Sequence, residues 1–381
     1  MKRTDFTPHS PGVAIRTLPG YLAYVPASLP PEVAWSTSLM AALSSADRSL
    51  AQLEMVGRVF PAPYAVVRPF VRKEAVLSSQ IEGTRTSFDE LLHFEAGFEN
   101  HPADTREVHN YVRALDYGLD RLADLPVSVR LIREIHGVLM EAVRGEVMTP
   151  GELRRSQNWI GRPGATLEDA RFVPPPVDEM AQCLSDLEKY IHANSDLPPL
   201  LRIGLIHYQF EAIHPFLDGN GRVGRLLVTF LLVYWRLLSQ PLLYLSHFIE
   251  ANRQEYYDRL LAVSLRGEWE AWLLFFLEGV RSQAEDAAGR ITALQELREE
   301  YRRLFAGDRS RRKLARVIDY LISTPVTTIG QAQEQLQMGS YTTIQRSFRK
   351  LEDLGILREI SGNARNRLYR ADRIMRVLGA G

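Results

Sequence analysis

The sequence predicts an all-α protein that carries a β-hairpin flap and ends in a winged helix-turn-helix domain. Three observations predict it. Apolar residues recur at spacings of three and four over most of the stretch from Val33 to about residue 305. One Gly/Pro-rich segment, residues 157–176, interrupts that pattern with two short apolar-aromatic pieces. After Ser310 the helices shorten, and two strand-like pieces flank a Gly362-Asn363 turn.

Residues 1–33 contain Pro8, Pro11, Pro19, Pro26, Pro30 and Pro31, which deny a long helix, so this opening segment reads as loop. Helical periodicity then covers 35–58, 64–82, 106–124 and 127–143. In 157–176, Trp159-Ile160 and Arg171-Phe172-Val173 flank a Gly/Pro turn region, and Pro174 to Pro176 precede the next helix. Periodicity resumes over 177–194, 199–213, 222–238 and 252–265, followed by a charged helix around 281–305. Trp269, Trp272, Phe275 and Phe276 read as core packing. From Ser310, Arg311 to Ser323 is an amphipathic helix and Thr324-Pro-Val-Thr-Thr a short bridge. Ile329–Met338 and Tyr341–Leu354 are two further helices, the last with Ser340 as its N-cap. Gly355-Ile-Leu-Arg-Glu-Ile and Arg367-Leu-Tyr-Arg complete a two-stranded wing.

The 381 residues suffice for roughly two to three domains of about 100–200 residues each. A hydrophobic share of 45% against 24% charged excludes wholesale disorder. Forty-six basic and 46 acidic side chains cancel, so no global field favours nucleic acid or a membrane. The cancellation hides an asymmetry. Residues 310–381 hold 13 Lys and Arg against 6 Asp and Glu, a charge of +7, which leaves −7 on the remainder. The lone cysteine, Cys183, excludes an intrachain disulfide and any zinc site of several thiolates, and reads as inert in a reducing compartment. Met1-Lys-Arg-Thr-Asp-Phe is followed by no apolar stretch, so it is not a signal peptide. The apolar run Leu226–Leu238 is shorter than the about 20 residues of a membrane span. A cytoplasmic setting without membrane contact is expected.

The informative run is His214-Pro-Phe-Leu-Asp218-Gly-Asn-Gly-Arg222-Val-Gly-Arg225, between two helical patterns. Pro215 ends the first, and Gly219-Asn220-Gly221 lets the backbone turn into the second. Successive N–H groups at a helix N-terminus form an anion site, and arginines about one turn apart share the face toward it. Asp218 can hold Mg²⁺ against phosphate oxygens, and His214 can act as a general base near neutral pH. Together these are the parts of a phosphoryl- or nucleotidyl-transfer site.

Rival readings are weaker. Gly219-x-Gly221-x-x-Gly224 formally matches a dinucleotide fingerprint, but it follows a helix, and no acidic residue about 20 positions on would take a ribose. No Walker A run exists. A purely structural Gly-Asn turn explains any one residue but not the ensemble. His207 precedes His214 by seven positions, and without a third ligand the pair does not make a zinc site.

The run resembles the Fic family signature, His-Pro-Phe-x-(Asp/Glu)-Gly-Asn-Gly-Arg-x-x-Arg, at every defined position. The resemblance implies a helical Fic fold that transfers AMP from ATP to a target hydroxyl and releases pyrophosphate. It implies His214 as the base, Asp218 as the Mg²⁺ ligand, and Gly219, Asn220 and Gly221 as the phosphate cradle. Arg222 and Arg225 would neutralise the β and γ end, with Val223 and Gly224 in the same ATP-binding turn and Phe216 as the loop's buried anchor. The related Doc branch, a protein kinase, has lysine at the second loop glycine, so Gly221 favours nucleotide transfer.

Upstream, Ser78-Ser-Gln-Ile-Glu82-Gly83 is similar to the family's inhibitory pattern (Ser/Thr)-x-x-x-Glu-(Gly/Asn). There a carboxylate takes the Arg225 guanidinium that the γ-phosphate needs. By itself the segment is a helix end with a C-terminal glycine. The 157–176 stretch sits where Fic proteins carry a target-docking flap, which aligns a peptide through main-chain hydrogen bonds. Asn158, Trp159, Ile160 and Gly161 would then border the ATP site. Asn252, Tyr256 and Tyr257 resemble the segment enclosing the adenosine, although paired helix tyrosines more often belong to a core.

The organisation so implied is an N-terminal Fic-associated region with the inhibitory helix (1–105) and a catalytic core (106–285). A connecting helix (286–309) and the winged helix-turn-helix (310–381) follow. The expected activity is protein adenylylation of a Ser, Thr or Tyr hydroxyl, on a target or on the chain itself, with ATP and Mg²⁺. A homodimer is in keeping with this group, though no interface is legible. The alternatives are a DNA-binding regulator whose Fic portion senses nucleotide, or an enzyme that mainly removes AMP. Tyr341, Thr342, Thr343, Gln345 and Arg346 would face a DNA groove, whereas Glu352 and Asp353 on the same helix favour a protein partner.

Overall fold

In a computed structural model the chain is described for residues 1–60, 63–98, 104–143, 149–162 and 164–379. It opens with a hairpin where proline content predicts loop. β1 (Val13–Arg16) pairs antiparallel with β2 (Leu22–Val25), Val13 opposite Val25 and Arg16 opposite Leu22. Gly20, at φ +97°, supplies the left-handed turn residue, and the prolines stand outside both strands.

The helices follow. α1 (Thr37–Val59), α2 (Pro63–Ile81), α3 (Phe88–Glu95), α4 (Thr105–Arg121) and α5 (Val129–Leu139) precede the Gly/Pro segment. α6 (Val177–His192), α7 (Pro199–Ile213), α8 (Asn220–Tyr234), α9 (Ser246–Ala251) and α10 (Arg253–Arg266) come after it. The charged pattern near 281–305 belongs to one long helix, α11 (Trp269–Leu304), whose start buries Trp269, Trp272, Phe275 and Phe276. The C-terminal part is α12 (Arg311–Ser323), β3 (Val326–Thr328), α13 (Ile329–Leu336), α14 (Tyr341–Asp353), β4 (Arg358–Glu359), β5 (Leu368–Arg370) and α15 (Asp372–Leu378). The bridge Thr324–Thr328 thus contains a strand. β5 lies between β3 and β4, antiparallel to both.

Several helix starts are written in the sequence. Ser87 with Glu90 and Thr328 with Gln331 form capping boxes, and Ser128 accepts from the Leu131 N–H. Ser340 departs from expectation. It occupies the N-cap position of α14, but its hydroxyl bonds those of Thr342 and Thr343 and makes no cap bond.

The chain divides into two compact units. One gathers Met1–Ala51, Asn110–Leu238 and Leu245–Gln283; the other gathers Gln52–His109, Ser239–Tyr244 and Ala284–Gly381. In the first, α7 is buried nearly all round, as an apolar helix at the centre of a bundle must be. In the second, α2 packs along α12, and Leu92 of α3 joins Val326, Leu368 and Met375 in a buried cluster. Among the described residues no helix is long and apolar enough to cross a membrane.

Candidate active site

The His214–Gly219 loop joins α7 to α8, and the close approach of the two helices sets its geometry. Gly224 makes that approach possible: a Cβ there would lie 2.2 Å from Glu211 Oε1 and 3.2 Å from the Phe210 ring. Beside it the His207 Nδ1–H donates to the Gly224 carbonyl at 3.1 Å, so Nε2 accepts from the Tyr256 hydroxyl at 2.8 Å. Burial, aided by the Arg225 charge, pushes His207 down to about 4. The ring is a neutral buried strut with both nitrogens engaged.

His214 ends α7 in the left-handed conformation, φ 48° and ψ 63°. Its Nδ1 lies 3.2 Å from the Glu211 carbonyl, which can only accept, so Nδ1 bears the proton and Nε2 the lone pair of the neutral ring. Two residues on, Phe216 is fully buried and stacks on His136 of α5, centroids 3.8 Å apart and planes within 6°. Asn220 braces the loop from inside. Its Oδ1 accepts the Phe216 N–H and its Nδ2 donates to the Phe216 carbonyl, both at 2.8 Å. Both ends of the Asn220 side-chain amide are thus spent on the loop.

The Asp218 end is held by His136. The Gly151 N–H donates to His136 Nδ1 at 2.9 Å, so Nε2–H donates to the Asp218 carbonyl at 3.1 Å. Burial pushes His136 down to about 4, with Arg222's charge adding and the Asp218 bond opposing, so the imidazole stays neutral. Gly219, at φ +78°, leads into α8 without a side-chain cap. A Cβ there would meet Met140 Sδ at 3.1 Å and the His136 ring at 3.5 Å. The first-turn N–H groups of α8, Gly221 among them, thus lie at a helix N-terminus that no Gly219 side chain occupies. The Asp218 carboxylate is half-exposed; one oxygen takes the Gly219 N–H at 2.6 Å and the other lies 3.6 Å from Arg222. Arg222 and Arg225 are both 3% exposed, and Val223 is buried on the same turn.

The predicted flap is a single antiparallel bridge, with Ile160 and Phe172 exchanging main-chain bonds at 2.8 and 3.0 Å. It extends no further because Pro174 to Pro176 have no N–H to donate, and Gln157 turns its amide onto the Pro174 carbonyl. Trp159 is 42% exposed, its indole N–H on the Ala165 carbonyl, and a Cβ on Gly161 would meet that of Ala165 at 3.0 Å. Pro163 of the turn lies outside the described residues. Asn158 faces inward and donates to the His214 and Phe216 carbonyls. Arg171 pairs with Asp258 of α10, where Tyr256 is buried and Tyr257 half-buried, while Asn252 bonds back to the Phe248 carbonyl.

Ser78, Glu82 and Gly83 belong to the other unit. Ser78 is buried, Glu82 is exposed, and Gly83, at φ +104°, donates to the Gln80 carbonyl where α2 ends. Cys183 is buried, and burial pushes its thiol up to about 11. Among the described residues no group of three or more His, Cys, Asp and Glu could hold a metal ion.

Sequence reasoning missed His136, Met140 and Arg154, all of which touch the loop. Their positions show only apolar periodicity or a turn, and no spacing relates them to residues 60 to 82 positions on.

Two family models match the chain: Fic/DOC family N-terminal over residues 40–120 and Fic/DOC family over residues 126–232. The protein adenylyltransferase Fic of Drosophila willistoni is 30% identical over 132 residues, covering 33% of this chain and 24% of that protein. That of Drosophila erecta is 29% identical over the same extent. The matched region thus spans about a quarter of the length of these relatives. Among solved structures, a Fic family protein from Desulfovibrio desulfuricans aligns with a TM-score of 0.58 at 19% identity, over 90% of this chain and 98% of that one. Fic-1 of C. elegans (residues 134–508) aligns at 0.51 and 21% identity, over 68% and 74%. At these identities the structural likeness is one of fold.

Proposed function

The chain is a Fic domain protein, and from that premise we propose that it is a protein adenylyltransferase that transfers AMP from ATP to a Ser, Thr or Tyr hydroxyl. The observation that carries this reading is the tautomer of His214. Its Nδ1–H is committed to the Glu211 carbonyl, which leaves the Nε2 lone pair to accept a proton, on the loop that delivers the N-terminus of α8.

In the proposed reaction His214 Nε2 takes the hydroxyl proton as the hydroxyl oxygen bonds to the α-phosphorus. The bond from that phosphorus to the bridging oxygen breaks, and pyrophosphate leaves with the electron pair. The α8 N-terminus binds phosphate oxygens, and Arg222 and Arg225 offset the charge of the leaving end. Asp218 fits a Mg²⁺ ion, which such sites hold with one or two carboxylates plus substrate phosphates, because its carboxylate is half-exposed. Bound there, the ion would neutralise phosphate charge. Trp159 to Gly161 and Asn252 to Tyr257 flank the nucleotide in this reading, while the Asn158 side chain is spent on the loop carbonyls. Glu82 restrains the reaction by competing for the guanidinium that the γ-phosphate needs. The sequence pattern Ser78–Gly83 supports this.

Labelled ATP tests the proposal. Glu82→Gly protein with Mg²⁺ should incorporate α-label and no γ-label, at least tenfold above the unmodified chain, and His214→Ala should abolish it. Incorporation of γ-label would assign kinase chemistry instead. An unchanged rate in Glu82→Gly would remove the inhibitory role.

One observation favours a second reading, of the C-terminal part as a DNA-binding winged helix. Tyr341, Thr342, Gln345, Arg346 and Arg349 of α14 are exposed, while Ile344, Phe348 and Leu351 face the core. Duplex binding by this face should weaken steeply between about 50 and 200 mM salt, and Arg346→Ala should flatten that slope by about one unit. Absence of binding at low salt would dismiss it.

A further inference from the structure

We propose that Arg154 and Asn158 form a carbonyl clamp that fixes His214 in its left-handed conformation, and are positioning residues for the base. This rests on the reading of His214 as that base.

His214 precedes Pro215, whose ring disfavours α conformations in the residue before it. A left-handed conformation is itself uncommon in a non-glycine residue and persists only where the surroundings over-determine it. At φ 48° and ψ 63°, His214 is thus held against its own preference. The restraint falls on its carbonyl oxygen, which accepts from Arg154 Nε at 3.0 Å and from Asn158 Nδ2 at 3.1 Å. The next two carbonyls along the loop are held by the same two residues. The Arg154 main-chain N–H donates to the Pro215 carbonyl at 2.9 Å, and Asn158 Nδ2 also donates to the Phe216 carbonyl at 2.8 Å.

Arg154 is built for this work. It is 1% exposed. The guanidinium is satisfied by main-chain oxygens alone: those of His214, Ser156 and Pro175. Burial pushes it down only to about 10, so it remains charged at neutral pH. A buried cation costs several kcal/mol of desolvation unless its hydrogen bonds are all met. A planar fork reaching three carbonyls at once meets them, and a lysine's point charge does not. In Asn158 the two carbonyl acceptors fix which side-chain atom is nitrogen, so the residue acts as a donor toward the loop.

The clamp's side-chain donors are spent on main-chain carbonyls, so its loss should affect turnover more than ATP affinity. In the Glu82→Gly background, Asn158→Leu keeps the volume and removes the donors. It should lower kcat for α-label incorporation at least 30-fold while KM for ATP changes less than threefold. Arg154→Met should do the same, and Arg154→Lys should recover only part of the loss. Unchanged kcat in Asn158→Leu, or equal losses in ATP affinity and kcat, would overturn the clamp. A second readout separates this from failure of the enzymatic reading: amide hydrogen exchange over 214–221 should rise at least tenfold in Asn158→Leu relative to α7. Unaltered exchange there sinks the clamp even if the parent protein transfers no label. If the parent lacks activity but exchange rises, the clamp stands and the transferase reading falls.

Discussion

The two buried histidines beside the loop tie the site to stability. His136 and His207 each hold a carbonyl through one ring nitrogen and accept a donor at the other, an arrangement only the neutral ring permits. Both are pushed from 6.5 to about 4. The unfolded chain therefore binds the extra protons. Their contribution is fully present above about pH 6.5 and is lost as pH falls through about 4, on the order of 3 kcal/mol for each ring. Glu134, which hydrogen bonds from Arg121 and Tyr117 hold at about 2, adds its own loss at lower pH. Urea unfolding between pH 7 and 4.5 should show falling stability, and His136→Gln should flatten the curve. A flat curve for the unaltered chain would contradict neutral burial. The residues of the candidate site's signature run were legible because they sit within 12 positions. Those that hold them, His136 and Arg154, were not, because burial and hydrogen bonding across 60 to 82 positions leave no mark on local spacing.

Among the elements, the α7–α8 pair decides how the loop is presented. α7 was legible as a helix from its apolar run, and Gly219-Asn220-Gly221 as a turn. The reason for Gly224 was not, since its role depends on Glu211 of the neighbouring helix. Gly224→Ala must displace the buried Glu211 carboxylate or spread the helices, at a cost of about 1–3 kcal/mol. The melting temperature should fall accordingly; an unaltered one would show that the Glu211 side chain simply swings aside. The opening hairpin was missed because proline density outweighed a short alternation across Gly20. The flap was found by its flanking aromatics but extends over one residue pair only, for want of N–H donors beyond Val173.

On the scale of the whole molecule, the second unit is assembled from distant stretches of chain. Leu92 of α3 packs with Val326, Leu368 and Met375, and Lys73 of α2 donates to the Leu378 carbonyl. The helix that ends just before Glu82 therefore depends on residues after 310 for its packing. Leu92→Ala should cost about 2–5 kcal/mol, and removal of residues 311–381 should destabilise α2 and α3. Protease resistance of that segment in the shortened chain would refute the dependence. By itself the sequence determined the helical class, the punctuation by caps, prolines and glycines, and the signature that marks the family. These are local properties, written in periodicity and in residues a few positions apart. Only the tertiary structure decided that 52–109 joins 284–381 in one unit, which imidazole nitrogens bear protons, and which buried donors hold the His214 carbonyl. Each depends on atoms that come into contact only when distant segments exclude water together.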